Sequence, residues 1–341
     1  MQAKLNEGKL LNAFGNLSES GFSTTLVKDY DRRDVKISKL KVKESDMYYF
    51  GNSRYGVCIK VADYSTYGYG SVSVIDYEKN TYISKTIIKP LTNGKMALPK
   101  SSKTGGLMFH HKNMLLKISN DGVIRRISCK LDKFDGVADF ECEVDLQLTN
   151  RESLVTVIPF KNKKHFRYSQ MIPSFKVRGS ARVGGRKYSF YEIDSFGILK
   201  WERSVLPYKE NMVTAVMSGI KNGKQIAFNF MSNIGSNLNL NENMIFYDNK
   251  SYKVDYVDIK IPTNEKGKQL LMDEWELTSN NGSVKLKFTP TINCKQKNGI
   301  VLLSHVNNYV YGYFSGTIVV NEREIFIDNL IGYIDVSKIR G

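Results

Sequence analysis

Apolar and polar residues alternate with a period of two along most of the chain. Such alternation is typical of β-strands with one buried face, because successive side chains point to opposite sides. The clearest examples, rich in β-branched and aromatic residues, are SVSVIDY (71–77), SLVTVIPF (153–160) and KYSFYEID (187–194). Apart from a short turn near the C-terminus, no segment shows a convincing helical stripe. The pattern therefore predicts an all-β protein.

The second half of the chain reads as consecutive hairpins. Turn sequences separate its strand-like runs at residues 221–223, 248–250, 280–282 and 307–308. Hairpins in series form an antiparallel meander, and closing the meander into a barrel removes its two exposed edges. Gly312 and Gly316 predict either strand bends or positions where something approaches the backbone.

A chain of 341 residues is longer than one hydrophobic core usually serves. The strand rhythm is interrupted in MIPSFKVRGSARVGGRK, where Pro173 and three glycines fall. We therefore predict two barrels packed together, with domains at residues 1–175 and 176–341.

Composition favours a cytoplasmic protein. The chain has no apolar run of a length that would span a membrane, and its N-terminal stretch lacks the pattern of a signal peptide. Its four cysteines are widely spaced, without a CxxC pair. We expect buried thiols and no zinc site.

The net charge of +16 is unevenly distributed. Residues 79–120 contain eight lysines and no acid, and residues 153–191 contain nine Lys or Arg and no acid. If these segments share a face, that face attracts nucleic acid, acidic glycans or anionic lipid. The simpler interpretation is a solvated, soluble surface, and we expect no nucleic-acid partner because RNA-binding motifs are missing.

Several catalytic classes lack their motifs. There is no phosphate-binding P-loop, no G-x-S-x-G and no dinucleotide-binding glycine pattern before a helix. His110 and His111 would point to opposite faces of a strand, so they cannot chelate one ion there. We expect no metal and no cofactor. An enzyme with this sequence would use acid–base groups or confinement in a pocket.

Stretches along nearly the whole chain resemble a bacterial family catalogued as domain of unknown function 2804. They are GNLSESGF (15–22), KVKESDMYYFGNSRYGVCIKVADYSTYGYGSVSVIDYE (41–78), KKHFRYSQMIPSFKVRG (163–179), GILKWERSVLPY (197–208), LNENMIFYDNKSYKVDYVDI (240–259), VNNYVYGYFSGTI (306–318) and IDNLIGYIDV (327–336).

The resemblance implies two lipocalin-like barrels, akin to the carotenoid-hydratase and tocopherol-cyclase groups, and no assigned activity. The chain departs from the family's Leu-Asp-Trp-Gly-Arg-Gly motif at three positions. Lys200 replaces its aspartate, and Glu202 and Ser204 replace its glycines. A carboxylic acid that could protonate an alkene is therefore missing at residue 200.

Trp201 and Arg203 are the first candidate ligand-binding residues. Two residues apart on a strand, they share a face. They can stack, or together line a pocket with an apolar wall and a cationic group. The alternative is structural, with Trp201 plugging the end of the barrel and Arg203 paired to an acid or a carbonyl.

Five further residues are weaker candidates. Tyr168 and Gln170 share a strand face and either bind ligand or connect the two barrels. Glu242 is the best candidate for an internal acid, although Glu242 and Asn243 also suit ordinary turn chemistry. Tyr313 suits a barrel wall as well as a ligand contact.

Two functions remain open from the sequence. The first is binding, with or without conversion, of a hydrophobic or anionic amphipathic small molecule inside a barrel or between barrels. The second is a basic-surface interaction protein.

Overall fold

The computed structural model describes residues 2–149, 151–221, 223–232, 240–300 and 303–341. These residues form two compact units, one spanning Ala3–Pro207 and one comprising Gln2 and Tyr208–Gly341. Within the described residues the regular elements are β-strands and two short 3-10 helices, Arg32–Asp34 and Lys39–Lys41. The predicted all-β, lipocalin-like class is confirmed. None of the helices described has the length and hydropathy to cross a bilayer.

The first unit contains fifteen strands among its described residues. They are β1 (Gly8–Lys9), β2 (Gly21–Ser23), β3 (Lys28–Asp29), β4 (Val42–Gly51), β5 (Tyr55–Asp63), β6 (Tyr67–Asp76), β7 (Thr81–Pro90), β8 (Gly105–His111), β9 (Met114–Asn120), β10 (Ile124–Leu131), β11 (Phe140–Gln147), β12 (Leu154–Pro159), β13 (Phe166–Val183), β14 (Arg186–Phe190) and β15 (Phe196–Val205).

Most of these strands form one sheet that is nearly closed into a barrel. Its main path runs β7-β6-β5-β4-β15-β13-β11-β10-β9-β8. Off this path, β12 and β14 pair with β13, and β2 pairs with β12. Alternate residues of these strands, such as Phe50, Leu116 and Trp201, form the buried core of the unit. The pairing of β4 with β15 joins the first long strand to the last and brings distant residues together.

In the described part of the second unit, nine strands form an antiparallel half-barrel. Their order is β19-β18-β17-β16-β24-β23-β22-β21-β20. They are β16 (Lys209–Lys221), β17 (Lys224–Ser232), β18 (Met244–Tyr247), β19 (Lys250–Lys253), β20 (Val257–Lys260), β21 (Trp275–Ser279), β22 (Val284–Ile300), β23 (Leu303–Val320) and β24 (Arg323–Arg340). One face carries a separate core that includes Phe228, Trp275 and Phe314.

The hairpin predictions have mixed outcomes. β18 and β19 pair through the turn at Asp248 and Asn249, as predicted. Asn222 of the predicted 221–223 turn lies outside the described residues. The turn predicted at 307–308 is wrong, because β23 continues through both asparagines. The Asn307 amide donates to the carboxylate of Asp335 on the neighbouring strand at 2.8 Å, which gives that asparagine a role within a strand.

Gly312 and Gly316 mark close approach between strands. A Cβ atom at Gly312 would lie 2.2 Å from the carbonyl oxygen of Thr289, and one at Gly316 would lie 2.2 Å from that of Lys285. Gly316 also has a φ of +130°, which side-chain-bearing residues rarely adopt.

The compact units divide between Pro207 and Tyr208, not between residues 175 and 176. Phe166–Val183 is one strand that runs across the predicted boundary. Its register shifts between Ile172 and Phe175, so Pro173 is accommodated in a bulge without ending the strand. The interruption that the sequence shows is therefore a local irregularity inside the first sheet.

Candidate functional site

Trp201 and Arg203 lie next to each other on the inner face of β15. Trp201 is 1% exposed and Arg203 is 0% exposed. The guanidinium carbon of Arg203 lies 4.3 Å from the centre of the Trp201 ring. The stacking that their two-residue spacing allowed is therefore present, deep inside the first unit.

The guanidinium of Arg203 is held by a carboxylate and by main-chain oxygens. Its Nη1 donates to Oδ1 of Asp46 at 2.7 Å, and its Nε lies 3.9 Å from Oε1 of Glu44. It also donates to the carbonyl oxygens of Ser45 (3.1 Å), Pro99 (2.6 Å) and Glu202 (2.8 Å). Burial raises the pKa of Asp46, while the charge of Arg203 opposes that rise.

Glu44 extends these contacts towards the N-terminal segment. Its Oε1 accepts from the Tyr30 hydroxyl at 2.9 Å and its Oε2 accepts from Arg32 Nη1 at 2.7 Å. Burial raises the pKa of Tyr30 well above its ordinary value. Tyr30 therefore stays a neutral donor to the Glu44 carboxylate. We call Arg203, Asp46, Glu44, Arg32 and Tyr30 the Arg203 network.

Aromatic rings fill the space beside this network. The Trp201 ring packs edge-to-face with Tyr168 and with Tyr30, with ring centres 5.1 Å and 6.5 Å apart respectively. Tyr168 is buried, and burial raises its pKa. The interior around Trp201 is thus packed with side chains, an arrangement that agrees with the plug interpretation.

Interior side chains donate hydrogen bonds to the main chain of two segments, residues 24–31 and 91–104, which we call the covering segments. The Tyr168 hydroxyl donates to the Lys28 carbonyl at 2.9 Å. Arg203 donates to the Pro99 carbonyl, and Nη2 of Arg125 donates to the Ser102 carbonyl at 2.7 Å. Both arginines therefore hold the segment that precedes β8.

A cavity of about 220 Å³ lies where these segments meet the strands. We call it the Arg125 pocket. Its lining combines apolar, hydroxyl, amide and cationic groups, namely Thr25, Leu26, Ser102, Lys103, Gly122, Arg125, Leu148, Arg151, Ser153, Gln170 and Ile172. Gln170, a predicted site residue, is among them.

Gln170 connects two walls of the pocket. Its amide oxygen accepts from the Ser102 hydroxyl, and its Nε2 donates to Oγ of Ser153 at 2.9 Å. Ser153 in turn donates to the carbonyl of Thr24 at 3.0 Å. Gln170 thus fixes the positions of two hydroxyl groups that line the cavity.

Arg125 lines the pocket but was not among the residues predicted from the sequence. It is 2% exposed, and its guanidinium carbon lies 4.8 Å from the centre of the Phe175 ring. Its guanidinium interacts with the buried Tyr48 hydroxyl, and its Nε and Nη1 meet no acceptor at hydrogen-bonding geometry among the described residues. A signal was available, because Arg125 has the same strand parity as Ile127 and Cys129 and so falls on the apolar face of β10.

Glu242 and Asn243 lie in the second unit. Both are buried beside β18. The Asn243 side-chain oxygen accepts from the backbone N–H of Met231 at 2.7 Å. The backbone carbonyl of Glu242 accepts from the side-chain Nδ2 of Asn229 at 2.5 Å. These bonds tie the segment before β18 to β17, which agrees with the turn interpretation for this pair.

Tyr313 is half-buried on β23, next to the core residue Phe314. Neighbouring strand residues point to opposite faces, so Tyr313 lies on the face away from that core. Across the described parts of both units, no three His, Cys, Asp or Glu side chains cluster in a way that could hold a metal ion.

Because Lys43 is buried, its contribution to stability should increase with pH. It is buried on β4, and burial lowers its pKa to about 8. Between pH 8 and 10 the unfolded chain, with a lysine pKa of about 10.4, binds more protons than the folded chain. The contribution of Lys43 to the free energy of unfolding should therefore rise, by at most about 1.4 kcal/mol per pH unit.

Urea unfolding at pH 7.5, 8.5 and 9.5 measures this effect. Lys253, whose pKa burial also lowers to about 8, contributes in the same direction. Burial raises the pKa of the Cys129 thiol to about 12 and that of Cys142 well above its ordinary value, so these thiols lower the stability above about pH 8.5 and oppose the lysines. Buried tyrosines such as Tyr49 act in the same direction as the thiols above about pH 10. Comparison of Lys43→Met with wild type isolates the lysine, and the variant should gain less stability, or lose more, between pH 7.5 and 9.5. An equal pH dependence of stability in the two proteins would contradict the prediction.

Solved structures that resemble the chain include a hydratase and an AttH candidate. Kievitone hydratase from Nectria haematococca is 13% identical, with 87% of this chain and 88% of that chain covered and a TM-score of 0.49. The AttH candidate from Nitrosomonas europaea is 10% identical, with 92% and 98% covered and a TM-score of 0.54. At this identity the second likeness shows a shared fold alone. No curated protein sequence matches the chain.

A family model described as Domain of unknown function (DUF2804) matches residues 2–340. The match includes every stretch on which the sequence resemblance depends, from residue 15 to residue 336. The chain therefore belongs to the DUF2804 family.

Proposed function

We propose that the protein binds a small organic molecule in the Arg125 pocket of the first unit. The observation that carries the proposal is the composition of that cavity. Leu26, Leu148 and Ile172 supply apolar walls, while Ser102, Ser153 and Gln170 supply hydrogen-bonding groups. Ligand sites usually combine an apolar lining with a few placed polar groups.

The size of the cavity limits what it can hold. Its volume of about 220 Å³ is below the range of roughly 300–1,000 Å³ usual for drug-sized ligands. The occupant is therefore a small molecule, or one end of a longer molecule.

Of the residues first predicted to bind ligand, only Gln170 lines this pocket. Arg203 and Tyr168 serve it indirectly, because they hold the covering segments through the Pro99 and Lys28 carbonyls. The alternative of a basic surface that binds nucleic acid gains no support from the comparisons.

Small aromatic probes test the proposal. Saturation-transfer NMR with benzoate, phenyl phosphate and benzamide should detect binding of at least one probe to the wild-type protein. Thr25 is exposed and lines the pocket, so Thr25→Trp should obstruct it and weaken binding at least tenfold. The matched control is Thr278→Trp, an exposed position on β21 of the second unit. Absence of binding by all three probes, or unchanged binding to Thr25→Trp, would refute the proposal.

A further inference from the structure

We infer that the molecule bound in the Arg125 pocket carries a negatively charged group, a carboxylate or a phosphate, which Arg125 recognises. This inference rests on the proposed function and specifies the chemical class of its ligand. Three observations support it: the charges around the cavity, the donors of Arg125 that meet no acceptor, and the lack of an ion pair between Arg125 and any described carboxylate.

The charges that line the pocket have one sign. Lys103, Arg125 and Arg151 contribute three cations, and no described carboxylate is part of the lining. Lys103 and Arg151 are exposed, whereas Arg125 is buried. An anion that enters would therefore meet two solvated cations first and a desolvated cation at its final position, where the attraction is strongest.

Arg125 has hydrogen-bonding capacity that is not fully used. Its Nη2 donates to the Ser102 carbonyl and its guanidinium interacts with the buried Tyr48 hydroxyl, while Nε and Nη1 meet no acceptor at hydrogen-bonding geometry among the described residues. Those two nitrogens carry three N–H donors. A buried donor without an acceptor costs about 1–3 kcal/mol, and more when the group is charged. A carboxylate or phosphate oxygen supplies the missing acceptors and also the missing charge.

Phe175 restricts how the guanidinium can turn. Its ring lies 4.8 Å from the guanidinium carbon of Arg125. With one edge bonded to the Ser102 carbonyl and one face against Phe175, the guanidinium has few other orientations. Such a pre-oriented planar donor suits bidentate recognition of a carboxylate or phosphate.

The interior carboxylates are already engaged by other arginines. Asp46 pairs with Arg203, and Glu44 pairs with Arg32. Asp46 attracts Arg125 without a hydrogen bond to it. Neither carboxylate therefore forms an ion pair with Arg125.

A third interior carboxylate, Asp63, does not pair with Arg125 either. Asp63 accepts hydrogen bonds from the Thr92 hydroxyl and from the backbone amides of Ser65 and Met96. Its oxygens are therefore used by neutral donors. A bound anion would give Arg125 the ion pair that no described carboxylate provides.

The apolar side chains set the rest of the ligand. Leu26, Leu148 and Ile172 lie on the same lining as the cations. A ligand that has an anionic end and a small hydrocarbon or aromatic body matches both kinds of group. The same three probes therefore serve, because benzoate and benzamide have nearly the same shape and differ in charge, and phenyl phosphate distinguishes phosphate from carboxylate.

The decisive measurement compares these probes on wild-type protein. A charge-assisted hydrogen bond is worth enough for a ten- to hundredfold change in affinity, so benzoate or phenyl phosphate should bind at least tenfold more tightly than benzamide. Arg125→Gln should abolish that preference, and Arg125→Lys should restore part of it. The matched control is Arg126→Gln, because Arg126 is the exposed neighbour that pairs with Asp121 and is absent from the lining.

The outcomes separate this inference from the proposed function. Equal binding of benzoate and benzamide to wild-type protein would overturn the inference and leave small-molecule binding intact. An anion preference that survives in a folded Arg125→Gln variant would also overturn it. Absence of binding by every probe would overturn both. Thermal melts of each variant show whether it is folded, and the wild-type comparison decides the question even if Arg125→Gln does not fold.

Discussion

Replacing Arg203 with leucine is expected to lower the free energy of unfolding by about 3–5 kcal/mol, because the change leaves buried carboxylates without their cation. Asp46 would lose its hydrogen bond at 2.7 Å, and Glu44 would lose a cation 3.9 Å away. The Pro99 carbonyl would lose a donor as well. Removing one partner of a buried ion pair costs far more than removing a pair in water.

The matched control is Arg178→Leu. Arg178 pairs with Asp145 at 3.0 Å, but its side chain is 66% exposed, whereas that of Arg203 is 0% exposed. The control should change stability by less than about 1 kcal/mol. Urea unfolding of both variants measures the difference. If Arg203→Leu unfolds at the wild-type urea concentration and instead loses probe binding, Arg203 is a ligand-binding residue and the structural interpretation is wrong.

The sequence was sufficient to predict most of the strands and the shared strand face of Trp201 and Arg203, because both depend on local rules. Alternation identifies strands such as Tyr67–Asp76, and a spacing of two places residues on one face. The family resemblance, confirmed over residues 2–340, supplied the lipocalin-like class that alternation alone does not specify.

The partners of Arg203 could not be predicted from local pattern. Asp46 and Pro99 lie far from Arg203 along the chain, and they approach it only through the register of β4 with β15 and the path of residues 91–104. Register and loop path are tertiary properties. For the same reason the sequence could suggest stacking at Trp201 and Arg203 but could not decide between a pocket and a packed interior.

The domain boundary shows a different limit. A proline and several glycines usually mark loops, but in β13 the structure places Pro173 in a bulge and Gly179 at φ +135° within one continuous strand. A Cβ atom at Gly179 would lie 2.2 Å from the carbonyl oxygen of Glu143, so only glycine fits against that backbone. The residues that suggested a linker instead allow a long strand to bend within the sheet.

Trp201→Ala is expected to destabilise the first unit by about 3–5 kcal/mol, the usual cost of removing a buried large aromatic side chain. The Trp201 ring packs edge-on against Tyr30 and Tyr168 and carries Arg203 on its face, so alanine would leave a void at the centre of these contacts. Trp201→Phe should cost less, because the Trp201 Nε1 has no hydrogen-bond partner among the described residues and phenylalanine retains a ring.

Tyr191→Ala is the control, because Tyr191 is 58% exposed and should contribute little to stability. Urea unfolding should therefore rank the three variants with Tyr191→Ala nearest to wild type, Trp201→Phe intermediate and Trp201→Ala least stable. Benzoate titration of the folded variants adds a second readout. Trp201 does not line the Arg125 pocket, so folded Trp201→Phe should keep the wild-type benzoate affinity. Loss of that affinity with unchanged stability would mean that Trp201 contacts the ligand and that the interior does not act as a plug.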